Sequence, residues 1–202
     1  MRCPSFRHRS VIAWPISRRV PKVWHNAWKS HNQTCLYFQQ FEPERLLVAH
    51  WAETIAVPEA RRRLATQLPD LLTPDVIAHL PPFFDLTDQN MDQWIDARDA
   101  ESDFYLIREK GTDVLIGLMF LTPSFNNDIH LEYLLGQSAW GKGYASELLA
   151  GLVLHVPKTG FRLLGAVGRE NPASAHVLRK TGFHIVPELS DRETEMFDIT
   201  CN

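Results

Sequence analysis

The run Trp140-Gly141-Lys142-Gly143-Tyr144-Ala145 follows an apolar stretch, residues 131–135, and opens an amphipathic one, residues 146–155. Two glycines two apart let a ligand approach the backbone with no Cβ in the way. The peptide N–H groups at the start of a following helix then face outward toward an anion, which the helix dipole also favours. Strand, Gly-x-Gly turn and helix in that order give the context of a phosphate-binding turn; the plainer reading is a tight strand-to-helix turn with no ligand. Lys142 either adds charge near such phosphates or is simply solvated. In the strand just upstream, alternation puts His130, Glu132 and Leu134 on one face and Leu131, Tyr133 and Leu135 on the other. A carboxylate in so apolar a strand is conspicuous. Partial burial would raise its pKa toward neutrality and suit it to proton transfer, whereas a basic neighbour on the next strand would make it one half of a cross-strand pair.

The rest of the chain must position these groups. With 202 residues, 45% of them hydrophobic, it suits one globular domain with a core, or one domain plus an appendage. No apolar run is long enough to span a bilayer, so no membrane partner is expected. Cys3, Cys35 and Cys201 are scattered and odd in number; they read as free thiols in a reducing, cytoplasmic compartment. The nine histidines are dispersed and form no His-Glu-x-x-His pattern, so no bound metal is expected. Residues 1–41 hold seven of the 21 Lys and Arg and none of the 24 acids, together with Pro4, Pro15 and Pro21. This segment reads as a basic, disordered N-terminal extension; an organelle transit peptide and an arm for nucleic acid or another acidic surface are the alternatives. Nucleic acid is expected as a partner only through that extension.

From residue 42 the pattern is mixed α/β. A strand is predicted over 45–51, helices over 58–68 and 87–100, the second capped by Thr87, and between them Pro69, Pro74, Pro81 and Pro82 break the chain where a substrate-facing segment could sit. A hairpin follows, 104–108 and 114–121 around Gly111, then a polar turn over 123–128. The strand 130–135, the glycine turn, a helix to His155 and a strand over 162–167 form a β-α-β unit with a parallel crossover. A helix over 171–181 has Asn171 as its cap, Pro172 at its first position and Gly182 as its stop. Final strands are expected over 183–186 and 195–199.

This order resembles the GNAT acyltransferase superfamily across nearly all of residues 42–202. Within it, Trp140-Gly141-Lys142-Gly143-Tyr144-Ala145 is similar to the branch of bacterial ribosomal-protein N-terminal acetyltransferases. Glu170-Asn171-Pro172-Ala173-Ser174, continuing to Gly182-Phe183, is similar to that branch's Asn-x-x-Ser helix ending in Gly-Phe. The resemblance implies a twisted, mostly antiparallel sheet with a central parallel pair splayed to hold acetyl-CoA, helices on both faces, and 42–202 as the acetyltransferase domain. It implies N-acetylation of a primary amine, on a protein N-terminus or a small molecule, by direct attack on the thioester, in a monomer or homodimer. Acetyl-CoA is then a co-substrate, and no metal is needed. The different-class alternative is an acyl-CoA-binding regulatory or interaction module with little turnover.

By the same resemblance the turn takes the pyrophosphate. Gly143 and Ala145 match the family pattern, and Trp140 stands where it has Gln or Arg, which removes a side-chain donor. Backbone groups near Leu134 and Leu135 would pair with the pantetheine arm, and one N–H there would polarise the thioester carbonyl. Asn171 and Ser174 would meet the far end of that arm, the Ser174 hydroxyl at the leaving thiolate. Asn171 is equally a helix cap, and both roles are compatible. Amine acetylation also needs a base. Glu132 is the first candidate and His130 the second, its ordinary pKa being suitable. Other GNAT branches often carry a tyrosine acid where this chain has Leu178.

Overall fold

The computed structural model describes residues 38–77, 90–123, 128–158 and 160–201. Among them, eight strands form one sheet: β1 (Gln40–Phe41), β2 (Leu46–His50), β3 (Asp103–Glu109), β4 (Leu115–Pro123), β5 (Asp128–Leu135), β6 (Phe161–Gly168), β7 (His184–Ile185) and β8 (Thr194–Cys201). Their order is β1-β2-β3-β4-β5-β6-β8-β7. Every neighbouring pair is antiparallel except β5 and β6.

Helices cover both faces. On one lie α1 (Ala52–Ala56), α2 (Pro58–Leu71), α3 (Pro74–Ile77) and α4 (Met91–Glu101). Leu64, Leu68 and Leu71 of α2 recur at helical spacing and bury against Trp51, Trp94, Phe104, Leu118, Phe120 and Leu134. On the other face lie α5 (Tyr144–His155) and α6 (Pro172–Lys180), which present Leu148, Leu149, Leu152, Ala175 and Leu178 to Leu131, Tyr133, Leu163 and Phe197. The alternation read from β5 is thus observed: Leu134 enters the first core, and Leu131, Tyr133 and Leu135 enter the second.

Several local expectations shift. Helix α4 begins at Met91, where Asn90 in an extended conformation accepts from the Asp92 N–H at 2.8 Å; Thr87, like Pro81 and Pro82, lies outside the described residues. Helix α2 runs through Pro69 to Leu71. The missing N–H falls in the last turn, and Leu72 N still reaches Leu68 O at 2.8 Å. Asp128 belongs to β5 and not to a turn, held there by the fork of Arg162 at 3.0 and 2.7 Å. Helix α6 ends as expected, with Phe183 N bonded to Leu178 O at 3.0 Å and Gly182 N to Arg179 O at 3.2 Å, closing its last carbonyls.

The sheet also includes Gln40–Phe41, which the sequence reading assigned to the basic extension. Phe41 is 2% exposed, stacks on His155 at 5.3 Å and pairs with Val48. Residues 1–37, and with them the candidate nucleic-acid arm or transit peptide, lie outside the described residues. Phe41→Ala is expected to cost about 3 kcal/mol of stability in urea unfolding, the loss typical of a buried aromatic ring. A loss below about 1 kcal/mol, the level of a surface change, would separate this strand from the core.

Candidate active site

The one parallel pair among the described residues is short. Strands β5 and β6 match only at Asp128↔Arg162, Ile129↔Leu163 and His130↔Leu164. Beyond that, β5 stays with β4 as far as Gly117↔Leu135, and β6 stays with β8 as far as Gly168↔Thr194. A gap therefore opens between residues 131–135 and 165–168. Gly117 lets β4 hold β5 on the far side of that gap, because a Cβ there would lie 2.4 Å from Leu134 O. Gly136 N bonds to Ile116 O at 2.9 Å in continuous register. The backbone groups of Glu132 and Leu134 therefore face β4, and those of Leu131, Tyr133 and Leu135 face the gap. Of the two residues expected to offer backbone groups, Leu135 has them on the gap side and Leu134 does not.

The glycine turn lies at the end of β5. After a 3₁₀ turn at Gln137–Ala139, Gly141 and Gly143 have φ of 73° and 80°, left-handed values that glycine adopts without steric cost. Gly143 is the cap of α5, and no side chain caps that helix. Its first helical bond runs from Glu147 N to Gly143 O at 3.1 Å, so the preceding N–H groups have no partner within the helix. The Trp140 indole donates to Leu135 O at 2.7 Å, tying the turn to the strand. Lys142 is exposed, Tyr144 buried and Ala145 partly buried.

A residue that the sequence reading missed braces this turn. Arg45 donates to Lys142 O at 3.1 Å and to Glu147 Oε2 at 2.7 Å, and its guanidinium carbon lies 4.5 Å from the centre of the Tyr144 ring. Its backbone N–H donates to Glu147 Oε1 at 2.6 Å. The Tyr144 hydroxyl donates to Glu109 at 2.7 Å. Nothing local in sequence joins positions 45 and 142; only the packing of α5 on β2 does.

Glu132 is the first residue of its face beyond the last parallel pair. Its cross-strand neighbour is Phe120, so it is not half of a cross-strand ion pair, and burial pushes its carboxyl up from an ordinary 4.5 to about 7. His130 stands at the last paired position, opposite Thr122 and Leu164. Burial lowers its pKa, against the pull of Asp128.

On the other face, Asn171 caps α6 by accepting from the Ser174 N–H at 3.1 Å. The Ser174 hydroxyl is buried, 3.5 Å from the Tyr133 hydroxyl. Leu178 is buried in the core, and a Cβ on Gly165 would lie 3.4 Å from its side chain. A cavity of about 170 Å³ opens beside Asn171 at the end of β6, lined also by Gly168, Arg169, Arg179 and Glu195. His176 and His184 are exposed. Among the described residues no cluster of His, Cys, Asp or Glu could hold a metal, and no helix is long and apolar enough to cross a membrane.

The profile of the acetyltransferase (GNAT) domain matches residues 45–184, from the residue before β2 through the first residue of β7. The chain belongs to the GNAT acetyltransferase family. It is an acyl-transferring enzyme, an N-acetyltransferase, of that acetyl-CoA-dependent family. Solved structures of similar fold include a GNAT-family acetyltransferase from Bacillus anthracis, with 17% identity, TM-score 0.60, and coverage of 80% of this chain and 98% of that one. A spermidine N-acetyltransferase from Vibrio cholerae, in complex with CoA and spermine, shares 14% identity at TM-score 0.55, covering 78% and 96%. A ribosomal-protein alpha-N-acetyltransferase in complex with coenzyme A shares 15% at TM-score 0.57, covering 80% and 97%. No curated protein matches with significance.

The elevated Glu132 pKa makes a prediction that needs no activity assay. Below about pH 4.5 the carboxyl is protonated in both the folded and unfolded chain. Between 4.5 and about 7 only the unfolded chain ionises, so the folded state loses stability as pH rises through that window. Glu132→Gln removes the effect. Its unfolding free energy relative to the parent is expected to be higher at pH 8 than at pH 4; the same difference at both would show an unshifted carboxyl.

Proposed function

We propose that this GNAT enzyme transfers the acetyl group of acetyl-CoA to a primary amine, on a protein N-terminus or a small molecule, by direct attack of the amine nitrogen on the thioester carbonyl. The turn from Trp140 to Ala145 takes the pyrophosphate through backbone N–H groups and the start of α5, with Lys142 at its exposed edge. The backbone of Tyr133 pairs with the pantetheine arm as a strand would, and the Leu135 N–H is the donor available to the thioester oxygen, the Leu135 carbonyl being taken by the Trp140 indole. Asn171 and Ser174 meet the sulphur end of the arm. Glu132 accepts the amine proton, with His130 behind it on the same face.

The observation that carries this reading is the end of parallel pairing after His130↔Leu164, with Glu132 the next residue of its face and its carboxyl pushed up to about 7. A base with that pKa is half ionised near neutrality, where general-base catalysis is most effective. Two neighbours in fold bear names that give amine acceptors, spermidine and a ribosomal protein, which supports the same acceptor chemistry here. Family membership favours the enzyme over an acyl-CoA-binding module without turnover.

In calorimetric titration the full chain is expected to bind acetyl-CoA in the micromolar range, about −8 kcal/mol. Gly143→Asp places a side chain and a negative charge in the turn and is expected to abolish binding while the chain stays folded; unaltered binding would put the phosphates elsewhere. With a panel of primary amines, Glu132→Gln is expected to bind acetyl-CoA as the parent does and to lose about 100-fold in kcat. The parent's rise in kcat through about pH 7 should flatten in that variant. Unchanged turnover would remove Glu132 as the base.

A further inference from the structure

A buried phenol stands beside the hydroxyl that the proposed function places at the sulphur, and the roles assigned above give it no work. Tyr133 is 3% exposed and Ser174 1%. Their hydroxyl oxygens are 3.5 Å apart. Burial pushes the Tyr133 phenol up from 10 to about 12, so it keeps its proton at any working pH. Each of the two hydroxyls has one proton to donate and lone pairs to accept with. Either hydroxyl could be the donor at this distance; a phenol is the better donor and an alcohol oxygen the better acceptor, which favours donation from Tyr133 to Ser174 Oγ. The Ser174 backbone N–H is already given to Asn171 Oδ1 at 3.1 Å. Accepting from Tyr133 leaves the serine's own proton for another acceptor, and Tyr133 itself belongs to the stretch of β5 that has no partner in β6.

We propose that Tyr133 is a positioning residue for acyl transfer, its phenol donating to Ser174 Oγ so that the Ser174 hydroxyl is held as a donor toward the sulphur of the departing coenzyme A. This rests on the reading that places Ser174 at the sulphur. In the step it serves, the amine nitrogen forms the new C–N bond and gives its proton to Glu132. The C–S bond breaks with its electron pair on sulphur, and the thiolate leaves as an anion, stabilised by the serine's hydrogen bond until it meets a proton in solvent. Tyr133 and Glu132 are adjacent on β5 and so point to opposite faces of the sheet, which keeps the phenol clear of the base.

The helix position where other branches carry a tyrosine holds the buried Leu178. In this chain the phenol comes from the strand on the other side of the serine. Sequence spacing does not reveal this, because 41 residues separate Tyr133 from Ser174 and only the crossover from β5 to α6 brings them together.

The test is a double-mutant cycle on the full chain, read in kcat with acetyl-CoA and an amine acceptor, with calorimetry to show that each variant still binds acetyl-CoA. Tyr133→Phe keeps the ring and removes only the hydroxyl. It is expected to lower kcat about tenfold, the scale of one hydrogen bond serving a charged group, with little change in the KM for acetyl-CoA. Ser174→Ala is expected to lose at least as much, and Tyr133→Phe should cost nothing further in the Ser174→Ala background. A structural role for Tyr133 would instead give the same factor in both backgrounds, and that result overturns the proposal. So does a Tyr133→Phe variant with parental kcat beside an impaired Ser174→Ala, an outcome that leaves the serine's own role standing. A Ser174→Ala variant with parental kcat overturns both the serine's role and this proposal.

Discussion

The site depends on one constraint, a parallel strand pair that is clamped at one end and released at the other. At the clamped end Arg162 grips Asp128 with two hydrogen bonds and reaches Asp198 at 3.4 Å. A bidentate pair of this kind fixes direction as well as distance. At the released end each strand is held by its outer neighbour, β5 by β4 through the close approach at Gly117, and β6 by β8 along its whole length. A sheet cannot leave backbone groups unpaired inside a folded domain without cost. Leu135 O already accepts from the Trp140 indole, so the gap implies a partner for the Tyr133 backbone and the Leu135 N–H, and on the proposed reading that partner is the pantetheine arm.

Chemistry on the two faces follows from the same strand. Alternation sends Glu132 to the face of α1–α4, where loss of hydration raises its pKa, and sends Tyr133 to the face of α5 and α6, where it meets Ser174. Adjacent residues thus serve the two ends of one proposed transfer without interfering. The turn that would hold the cofactor's charge is fixed from outside, by Arg45 on Lys142 O and Glu147 and by the Trp140 indole on Leu135 O. Where the family pattern has a Gln or Arg, Trp140 supplies no donor to the solvent side of the turn. Its donor is used to set where the turn begins.

Much of this was legible in the sequence, because it is written in local spacing. The Gly-x-Gly turn, the Asn171 cap with Pro172 behind it, the hairpin around Gly111 and the two faces of β5 all depend on residues within a few positions of one another. What escaped depends on distant partners. Asp128 looks like a turn residue until Arg162 is placed beside it. Phe41 follows a basic, proline-bearing stretch, and its burial comes from Val48 and His155. Arg45 and Tyr133 read as ordinary strand residues, and their contacts to the glycine turn and to Ser174 exist only once α5 and α6 are packed on the sheet. The choice of Leu135 over Leu134 as the gap-facing backbone needed the register to Ile116.

Amide hydrogen exchange along β5 and the turn, with and without acetyl-CoA, tests the central claim most directly. If the arm completes the sheet, acetyl-CoA should slow exchange at Tyr133 and Leu135 and at the N–H groups of Gly143 and Tyr144, and leave Glu132 and Leu134, already paired with β4, unchanged. No new protection at Tyr133 and Leu135 under saturating acetyl-CoA would contradict the account, because the gap between β5 and β6 would then not be where the cofactor lies.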